Sequence, residues 1–423
     1  MRFRRHLSTA IAAGLAGLWG ALLAAPHVRG EPNLLDRLEA PLADLRFLIQ
    51  GPRGPPALVA IVAIDDETVR EAGTYPVSRE TVARLVDNLA ALGAKVIALD
   101  LLFLDRNTPE ADAALAASLR LRPSVLASAA VFASQTQVTD SSADAIQGLP
   151  MAHRLLLPVE ALAEAAAVGI VNVATDQSGT PRHVPLLFRS GDGLGASFAL
   201  RGASLAMGQD PIILPQGLVL GNWTIRTDAG YALPLRFYGP RGTIPTLRAT
   251  DVLSNMVPRE AVRGKIIVVG ATVAGAGDVF PTPFDPVLPG VEVLATATSH
   301  LVGNDGLLRD GRVRLCDGIV AIVLPMLLVV LLAWNRSALA LVLAATIVLI
   351  WLGVTVLAFL YGIWFSAALP LAAAIPSAIV FGATRLWFDR RRADRFALER
   401  GTLRRFQPPS LAARLAREPN FLS

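Results

Sequence analysis

Residues 58–103 read LVAIVAIDDETVREAGTYPVSRETVARLVDNLAALGAKVIALDLLF, and they limit the architectures open to the chain. The stretch begins with a continuous apolar run at 58–64, which predicts a buried parallel strand. Ser78 then has the form of an N-cap, apolar residues repeat at helical spacing, and Gly93 ends the helix. A second apolar run at 95–103 follows. Strand, helix and strand make one βαβ unit, so we predict an α/β domain with a mixed, largely parallel sheet and flanking helices.

Further elements continue this pattern toward the carboxyl terminus. Alternating segments predict edge or antiparallel strands at 182–189 and 231–238. Residues 290–302 predict the last helix of the domain, and the polar stretch 134–148 predicts a surface loop. Other apolar runs predict additional strands at 124–132, 167–173 and 265–270.

The composition is that of a membrane protein. Of 423 residues 53% are hydrophobic and 17% charged, and the mean hydropathy is +0.50, which is too apolar for an ordinary soluble chain. The only cysteine is Cys316. An intrachain disulfide and a thiolate metal cluster are therefore excluded.

Four segments are apolar enough to cross a bilayer. A span needs about 20 apolar residues, and residues 337–384 contain no Asp, Glu, Lys or Arg, so this stretch must fold back as two spans with a turn at Tyr361–Gly362. The first segment is interpreted as an anchor, with a cleaved signal peptide as the alternative. The predicted spans are residues 7–25, 318–334, 338–360 and 363–384.

The placement of arginine fixes the expected orientation. The isoelectric point of about 9.9 would suit a nucleic-acid-binding protein, but residues 385–423 alone contain ten Arg against four acidic residues, and Arg2, Arg4 and Arg5 lie at the other end. Basic residues beside spans favour the cytoplasmic side and anionic lipid. We therefore expect membrane lipid rather than nucleic acid as a partner, a multi-pass protein of the cell inner membrane, and both termini in the cytoplasm.

This orientation predicts an exported domain between two membrane regions. The expected divisions are a cytoplasmic tip and first helix (1–28), an exported domain (29–314), three transmembrane helices (315–335, 337–361 and 362–385) and a basic cytoplasmic stalk (386–423).

Polar residues at the carboxyl ends of the predicted strands are the first candidates for a ligand site, because ligands of open parallel sheets bind there. Asp65 and Asp66 follow the first strand, Asp100 lies late in the second, and GATVAGAGD (270–278) follows the strand at 265–270. The alternative interpretation is that these acids cap helices and pair with arginines. The predicted ligand-binding residues are Asp65, Asp66, Arg79, Asp100, Asp176, Arg182, Gly270 and Asp278.

Common catalytic motifs do not fit the sequence. In RGKIIVVGATVAGAG (263–277) Lys265 opens a strand rather than a helix, so the Walker A spacing fails, and the glycines do not have the G-x-G-x-x-G spacing of a dinucleotide site. The sequence has no G-x-S-x-G, and its five histidines lack metal-ligand spacing. No catalytic residue, metal or cofactor is predicted.

Several stretches, in order, resemble a known sensor family. These are IVAIDD (61–66), VGIVNVATDQSGTPRHVPLLF (168–188), LPLRFYGPRG (233–242) and PGVEVLATA (289–297), which together resemble the type-two CHASE domain over about residues 35–305. The turn at 74–79 keeps the proline and arginine of the family pattern but lacks its tryptophan. The resemblance implies an exported sensor with one span before it and three after it.

The same resemblance implies a cytoplasmic output. Members of this family join the sensor to class III adenylate or guanylate cyclases, histidine kinases or Ser/Thr kinases, and residues 406–423 resemble the junction that precedes a cyclase domain. We therefore expect a homodimeric receptor module for an unidentified extracytoplasmic ligand, without a catalytic domain in these 423 residues. The alternatives are a receptor for a kinase output, a catalytically silent membrane interaction or scaffold protein, and a membrane-tethered exported enzyme.

Overall fold

The structure, a computed structural model, describes residues 2–132, 148–191, 193–273, 275, 277–334 and 338–406. The predicted loop at 134–148 thus lies almost wholly outside the described residues. Contacts divide the chain into two compact units. One comprises residues 1–21, 321–348 and 370–423, and the other residues 22–320 and 349–369.

The helices and strands are labelled in chain order. The helices are α1 (Arg2–Arg29), α2 (Leu34–Gln50), α3 (Asp66–Ala72), α4 (Arg79–Leu92), α5 (Pro109–Leu119), α6 (Glu160–Ala163), α7 (Phe198–Met207), α8 (Ala249–Leu253), α9 (Gly290–Gly303), α10 (Gly311–Trp334), α11 (Ala338–Leu360) and α12 (Ala368–Phe406). The strands are β1 (Val59–Ile64), β2 (Val96–Asp100), β3 (Ser124–Val131), β4 (Arg154–Leu156), β5 (Ala167–Ile170), β6 (His183–Pro185), β7 (Leu187–Ser190), β8 (Gly193–Ala196), β9 (Ile212–Leu214), β10 (Gly217–Leu220), β11 (Trp223–Arg226), β12 (Ala232–Pro234), β13 (Thr246–Arg248), β14 (Ile266–Ala271), β15 (Val279–Phe280) and β16 (Leu288–Pro289).

The predicted βαβ unit is confirmed as β1, α4 and β2. The Ser78 side chain accepts a hydrogen bond from the amide of Thr81, and Gly93 ends α4 in the left-handed conformation with φ of 89°, which glycine adopts without steric cost. β2 ends at Asp100 rather than at residue 103. Its ladder stops there because Asp100 pairs with Gly270, near the end of the neighbouring strand β14.

The mixed, largely parallel sheet with flanking helices is also confirmed. Its main path runs β13-β1-β14-β2-β3-β4, and β5 pairs with β3. All these pairs are parallel except β3 with β4. Alternate β1 residues face opposite layers: Ala60, Val62 and Ile64 pack with α4 and α5, while Val59 and Ile61 pack with α7 and α9.

The alternating segments form antiparallel pairs, as predicted. Residues 182–189 divide into β6, which pairs with β12, and β7, which pairs with β8. A second core lies around these strands and includes Ala43 and Phe47 of α2, a helix that the sequence patterns did not predict. Phe359 and Trp364, from the carboxyl-terminal part of the chain, belong to the same core.

Among the residues that the structure describes, four helices are long and apolar enough to cross a membrane: His6–Arg29, Gly311–Ala333, Leu339–Leu360 and Ala368–Arg395. The predicted turn at Tyr361–Gly362 is present, but α12 begins at Ala368 rather than at residue 363. The reason is that Ile363 and Trp364 pair with Leu308 instead of entering a helix: the Leu308 amide donates to the Gly362 carbonyl and the Trp364 amide to the Leu308 carbonyl.

Candidate functional site

A cleft of about 820 Å³ opens where the central parallel strands end. β1, β14 and β2 are neighbours, so their carboxyl ends meet at one edge of the sheet, which is the usual ligand position in such folds. Asp100 and Asp278 line this cleft together with Arg79, and apolar side chains such as Ile64 and Leu294 form much of the remaining wall. Its volume is that of a small-molecule pocket.

The two carboxylates are the chemically distinctive groups of the cleft. Within the described residues, neither Asp100 nor Asp278 has a side-chain hydrogen-bond partner. Burial raises the pKa of Asp100 to about 7, and the nearby charge of Asp278 adds to this effect. Asp100 can therefore donate or accept a proton near neutral pH, and such shifts in a cleft are typical of functional sites.

Arg79 contributes much less free charge to the cleft. As the first residue of α4 it is placed by the Ser78 cap, and its guanidinium donates to the Asp112 carboxylate and to the backbone carbonyl of Asp105. It also lies 5.6 Å from the centre of the Phe103 ring. Because Asp112 neutralises Arg79, the charged residues that remain in the cleft lining are Asp100 and Asp278 with the exposed Asp105 and Arg106.

Three further predicted site residues lie at the β1 and β14 ends, and two of them, Asp65 and Gly270, have structural roles. Asp65 caps α3, accepting from the Thr68 amide at 2.9 Å and the Thr68 hydroxyl at 2.7 Å. Asp66 is exposed on α3. Gly270 lets α9 approach the sheet, since a Cβ there would be 2.6 Å from Val291. None of the three lines the cleft.

Asp176 and Arg182 lie away from the cleft, in an ion-pair cluster that also involves α2. Arg182 donates to Asp176 at 2.6 Å, and its guanidinium is 2.8 Å from Asp44. Ligand binding by any of the eight residues stays a prediction, but the structure brings three of them, Arg79, Asp100 and Asp278, into one cleft.

A second feature was missed by the sequence patterns: a buried charged junction formed by Glu39, Arg46, Asp228, Arg309, Arg314 and Asp317 with His27, His183, Trp364 and Ser366. Glu39 is its most highly connected member. One carboxylate oxygen accepts from Arg46 at 2.5 Å and from the Trp364 indole at 3.1 Å. The other accepts from the Ser366 hydroxyl and from two backbone amides at the start of α12.

These donors keep Glu39 ionised. Burial alone would raise the pKa of its carboxyl, but the positive charges of Arg46 and Arg309 and the hydrogen bonds from Ala368 and Trp364 outweigh burial, so the pKa lies below its usual value. A buried carboxylate is stable only when paired and hydrogen-bonded in this way. Glu39 therefore ties α2 to the segment that leads into α12.

Asp228 performs the corresponding role for α10. Arg314 donates to both oxygens of Asp228, at 2.6 and 2.8 Å, and His183 lies 3.2 Å away. Burial would raise the pKa of Asp228, but Arg314, His183 and Arg309 hold it well below its usual value. The arginine at 309 also lies 4.3 Å from the centre of the Trp364 ring. The residue pair Asp228–Arg314 thus joins the α/β fold to the first turn of α10.

Asp317 completes the junction from within α10. Its two oxygens lie 3.1 Å from the His27 ring and 3.0 Å from the amide of Ser366. The sequence did contain a signal for this residue, because an acidic side chain inside an apolar span is costly and marks functional positions. No comparable signal marked Glu39, whose partner Trp364 is 325 positions away.

Comparison with known proteins bears on both features. The family model for the CHASE2 domain matches residues 17–334, which include the cleft, α2 and most of the junction. Searches of curated proteins and of solved structures found no match to the chain. CHASE2 domains are sensory domains of signalling receptors. The family resemblance is therefore confirmed, and the chain belongs to the CHASE2 domain family.

Proposed function

We propose that this chain is the sensing and membrane-spanning part of a bacterial receptor. Residues 29–314 take up an extracytoplasmic ligand in the cleft, and four spans pass a conformational change to a cytoplasmic class III nucleotide cyclase output. Both termini lie in the cytoplasm, the protein resides in the cell inner membrane, and the working unit is a homodimer. Family membership and the four candidate spans support this assignment.

The observation that carries the proposal is that one buried helix connects the cleft with the junction. Gly290, Val291 and Leu294, in the first turns of α9, line the cleft. α9 is 14 residues long and almost entirely buried, so it extends about 21 Å as a rigid body. Its carboxyl end leads through Arg309 into α10. A ligand that displaces the amino end of α9 would therefore move the entry into a span.

Signalling requires that the ligand bind one arrangement more tightly than another, because only a difference in affinity shifts a conformational equilibrium. The junction supplies a suitable bistable element. Its ion pairs are buried and directional. A shift of α9 and Arg309 would therefore replace one set of ion pairs by another rather than lengthen the existing pairs.

Reporter fusions test the orientation. Alkaline phosphatase joined at Gly191 should be active and a fluorescent protein joined there dark, whereas fusions at Arg395 should show the opposite pattern. Both sites reporting from the same compartment would refute the proposed topology.

Ligand binding is tested with the full chain in detergent by a metabolite screen that follows the melting temperature. A ligand at a hundred times its dissociation constant stabilises the folded state by about 2.7 kcal/mol. The shift should be lost in Asp100→Asn and Asp278→Asn and kept in Asp210→Asn, which alters an exposed acid. A ligand whose shift survives both cleft substitutions would locate the sensing site elsewhere, and a scaffold protein would give no hit.

A further inference from the structure

Helix α2 has its polarity reversed relative to a helix on a water-exposed surface. Large apolar side chains on its outer face are between 52% and 75% exposed; they are Leu34, Leu38, Leu45, Leu48 and Ile49. With Pro41 they occupy about 100° of arc at 100° per residue. Leucine normally faces the protein interior, so a continuous exposed stripe of this kind marks an interaction surface. We refer to these five side chains as the leucine stripe.

The opposite face of α2 carries two charged residues in the interior, whereas Asp36 and Arg37 in its first turn remain exposed. Glu39 and Arg46 are both buried, as are Ala43 and Phe47 beside them. Arg46 donates to Glu39 and to the backbone carbonyl of Phe365. Glu39 and Arg46 thus pair with each other and with the backbone inside the protein, as ionisable side chains of membrane helices do.

The contacts of α2 place it at the ends of two candidate spans. The Phe47 ring packs edge-on against that of Phe359, near the end of α11, at 4.8 Å between centroids. Glu39 accepts from the amide of Ala368, the first residue of α12. Only residues 361–367 separate the two spans. α2 therefore lies at the level where both helices enter or leave the bilayer.

Apolar surface continues from α2 onto the adjoining parts of the spans. Within the same compact unit, Leu22 of α1, Leu315 and Ile319 of α10 and Leu357 of α11 are also more than half exposed. We propose that α2 lies in the outer surface of the bilayer, with the leucine stripe at the boundary between lipid headgroups and acyl chains. Helices of this class bury their apolar face about 5–10 Å into that boundary.

This inference goes beyond the receptor assignment, because α2 would contact lipid whether or not the cleft binds a ligand. It is tested by spin labelling of the full chain in lipid bilayers. Cys316→Ser removes the only cysteine, and single cysteines are then introduced at Leu45 and Leu48. Glu71→Cys on α3 is the water-exposed control, and Leu357→Cys on α11 the lipid-exposed control.

Collision rates with oxygen, which concentrates in lipid, and with a water-soluble nickel chelate are compared at each label. The ratio of oxygen to nickel collisions at 45 and 48 should be several-fold higher than at 71 and should approach that at 357. A ratio equal to that at 71 would overturn the inference in favour of a solvated helix. Low rates with both agents together with spin–spin broadening would overturn it in favour of a second copy of the chain.

Each labelled variant must melt within a few degrees of its cysteine-free parent. The labelled positions are exposed, so folding should be unaffected. A melting temperature that falls only in the variants at 45 and 48 would itself indicate a packed protein interface and would also count against lipid contact.

Discussion

Glu39→Gln should strongly destabilise the protein. The wild-type carboxylate accepts five hydrogen bonds, from Arg46, Trp364, Ser366 and two backbone amides. Glutamine has one acceptor oxygen in place of two, and its amide group would face donors. At least two donors then lose their acceptor.

The expected cost follows from the burial of this group. Removing one partner of a buried ion pair costs about 3–5 kcal/mol, because the other charge is left without compensation. The lost hydrogen bonds belong to the same network and are not added separately. Since about 1 kcal/mol lowers the melting temperature of a large domain by about 2–4 °C, the substitution should lower it by at least about 6 °C.

The assay is thermal unfolding of the full chain in detergent, with Glu71→Gln, an exposed residue of α3, as the matched control. The pKa of Glu39 is lowered from 4.5 by folding, so its contribution is complete above about pH 4.5 and is lost as the pH falls through the folded value. The difference between wild type and variant should therefore be constant from pH 6 to 8 and shrink in acid.

Adding Arg46→Met should restore part of the loss, because it removes the stranded charge. The reasoning is refuted if Glu39→Gln melts within about 1 °C of the control at neutral pH. It is also refuted if the double variant Glu39→Gln, Arg46→Met loses as much stability as the two single variants added together.

Three other substitutions test other parts of the structure by thermal unfolding. Asp100→Asn should stabilise the protein, by at most about 4 kcal/mol above pH 7 and progressively less toward pH 4, because folding raises the pKa of this acid from 3.8 to about 7; a gain that is the same at both pH values would contradict this. Gly169→Ala should cost about 1–3 kcal/mol, since its Cβ would lie 2.5 Å from the Cα of Phe198, whereas Gly54→Ala, with open space around it, should change little. Asp228→Asn should lower the free energy of unfolding by about 3–5 kcal/mol, because it leaves the partner Arg314 buried without a counter-charge. An unchanged melting temperature would contradict a stabilising role for Asp228 in the junction.

The parts of the fold that the sequence predicted are those specified by local chemistry. The serine cap, the apolar repeat and the glycine stop of α4 all lie within 16 consecutive residues, and the buried strands are continuous apolar runs. α2 does have local end signals, since Asn33 and Asp36 cap its start and Gly51 follows its last residue, but Pro41 lies inside it and five of its large apolar residues face outward. Its inner face is buried by partners between about 140 and 330 positions away, such as Arg182, Phe237 and Trp364, which no local pattern reveals.

The same difference between local signals and distant partners explains which site residues could be predicted from the sequence. The strand-end rule grouped Asp100 with Asp278 because topology alone brings parallel strand ends together, and both line the cleft; ligand binding by them stays a prediction. Asp65 also lies at the end of a strand, but its carboxylate caps α3 instead of lining the cleft. The ion pair of Arg182 with Asp44 depends on α2 and could not be foreseen.

The junction also determines which fragments of this protein can be stable on their own. The end of α11 supplies Phe359, and the segment that links α11 to α12 supplies Trp364, to the interior of the globular part. A soluble fragment that stops before the second hydrophobic helix would keep every strand of the main sheet, yet it would leave an arginine and a glutamate facing an open cavity. Fragments made for expression should therefore retain the whole carboxyl-terminal hairpin, because without it the isolated domain will be unstable even though its sheet is complete.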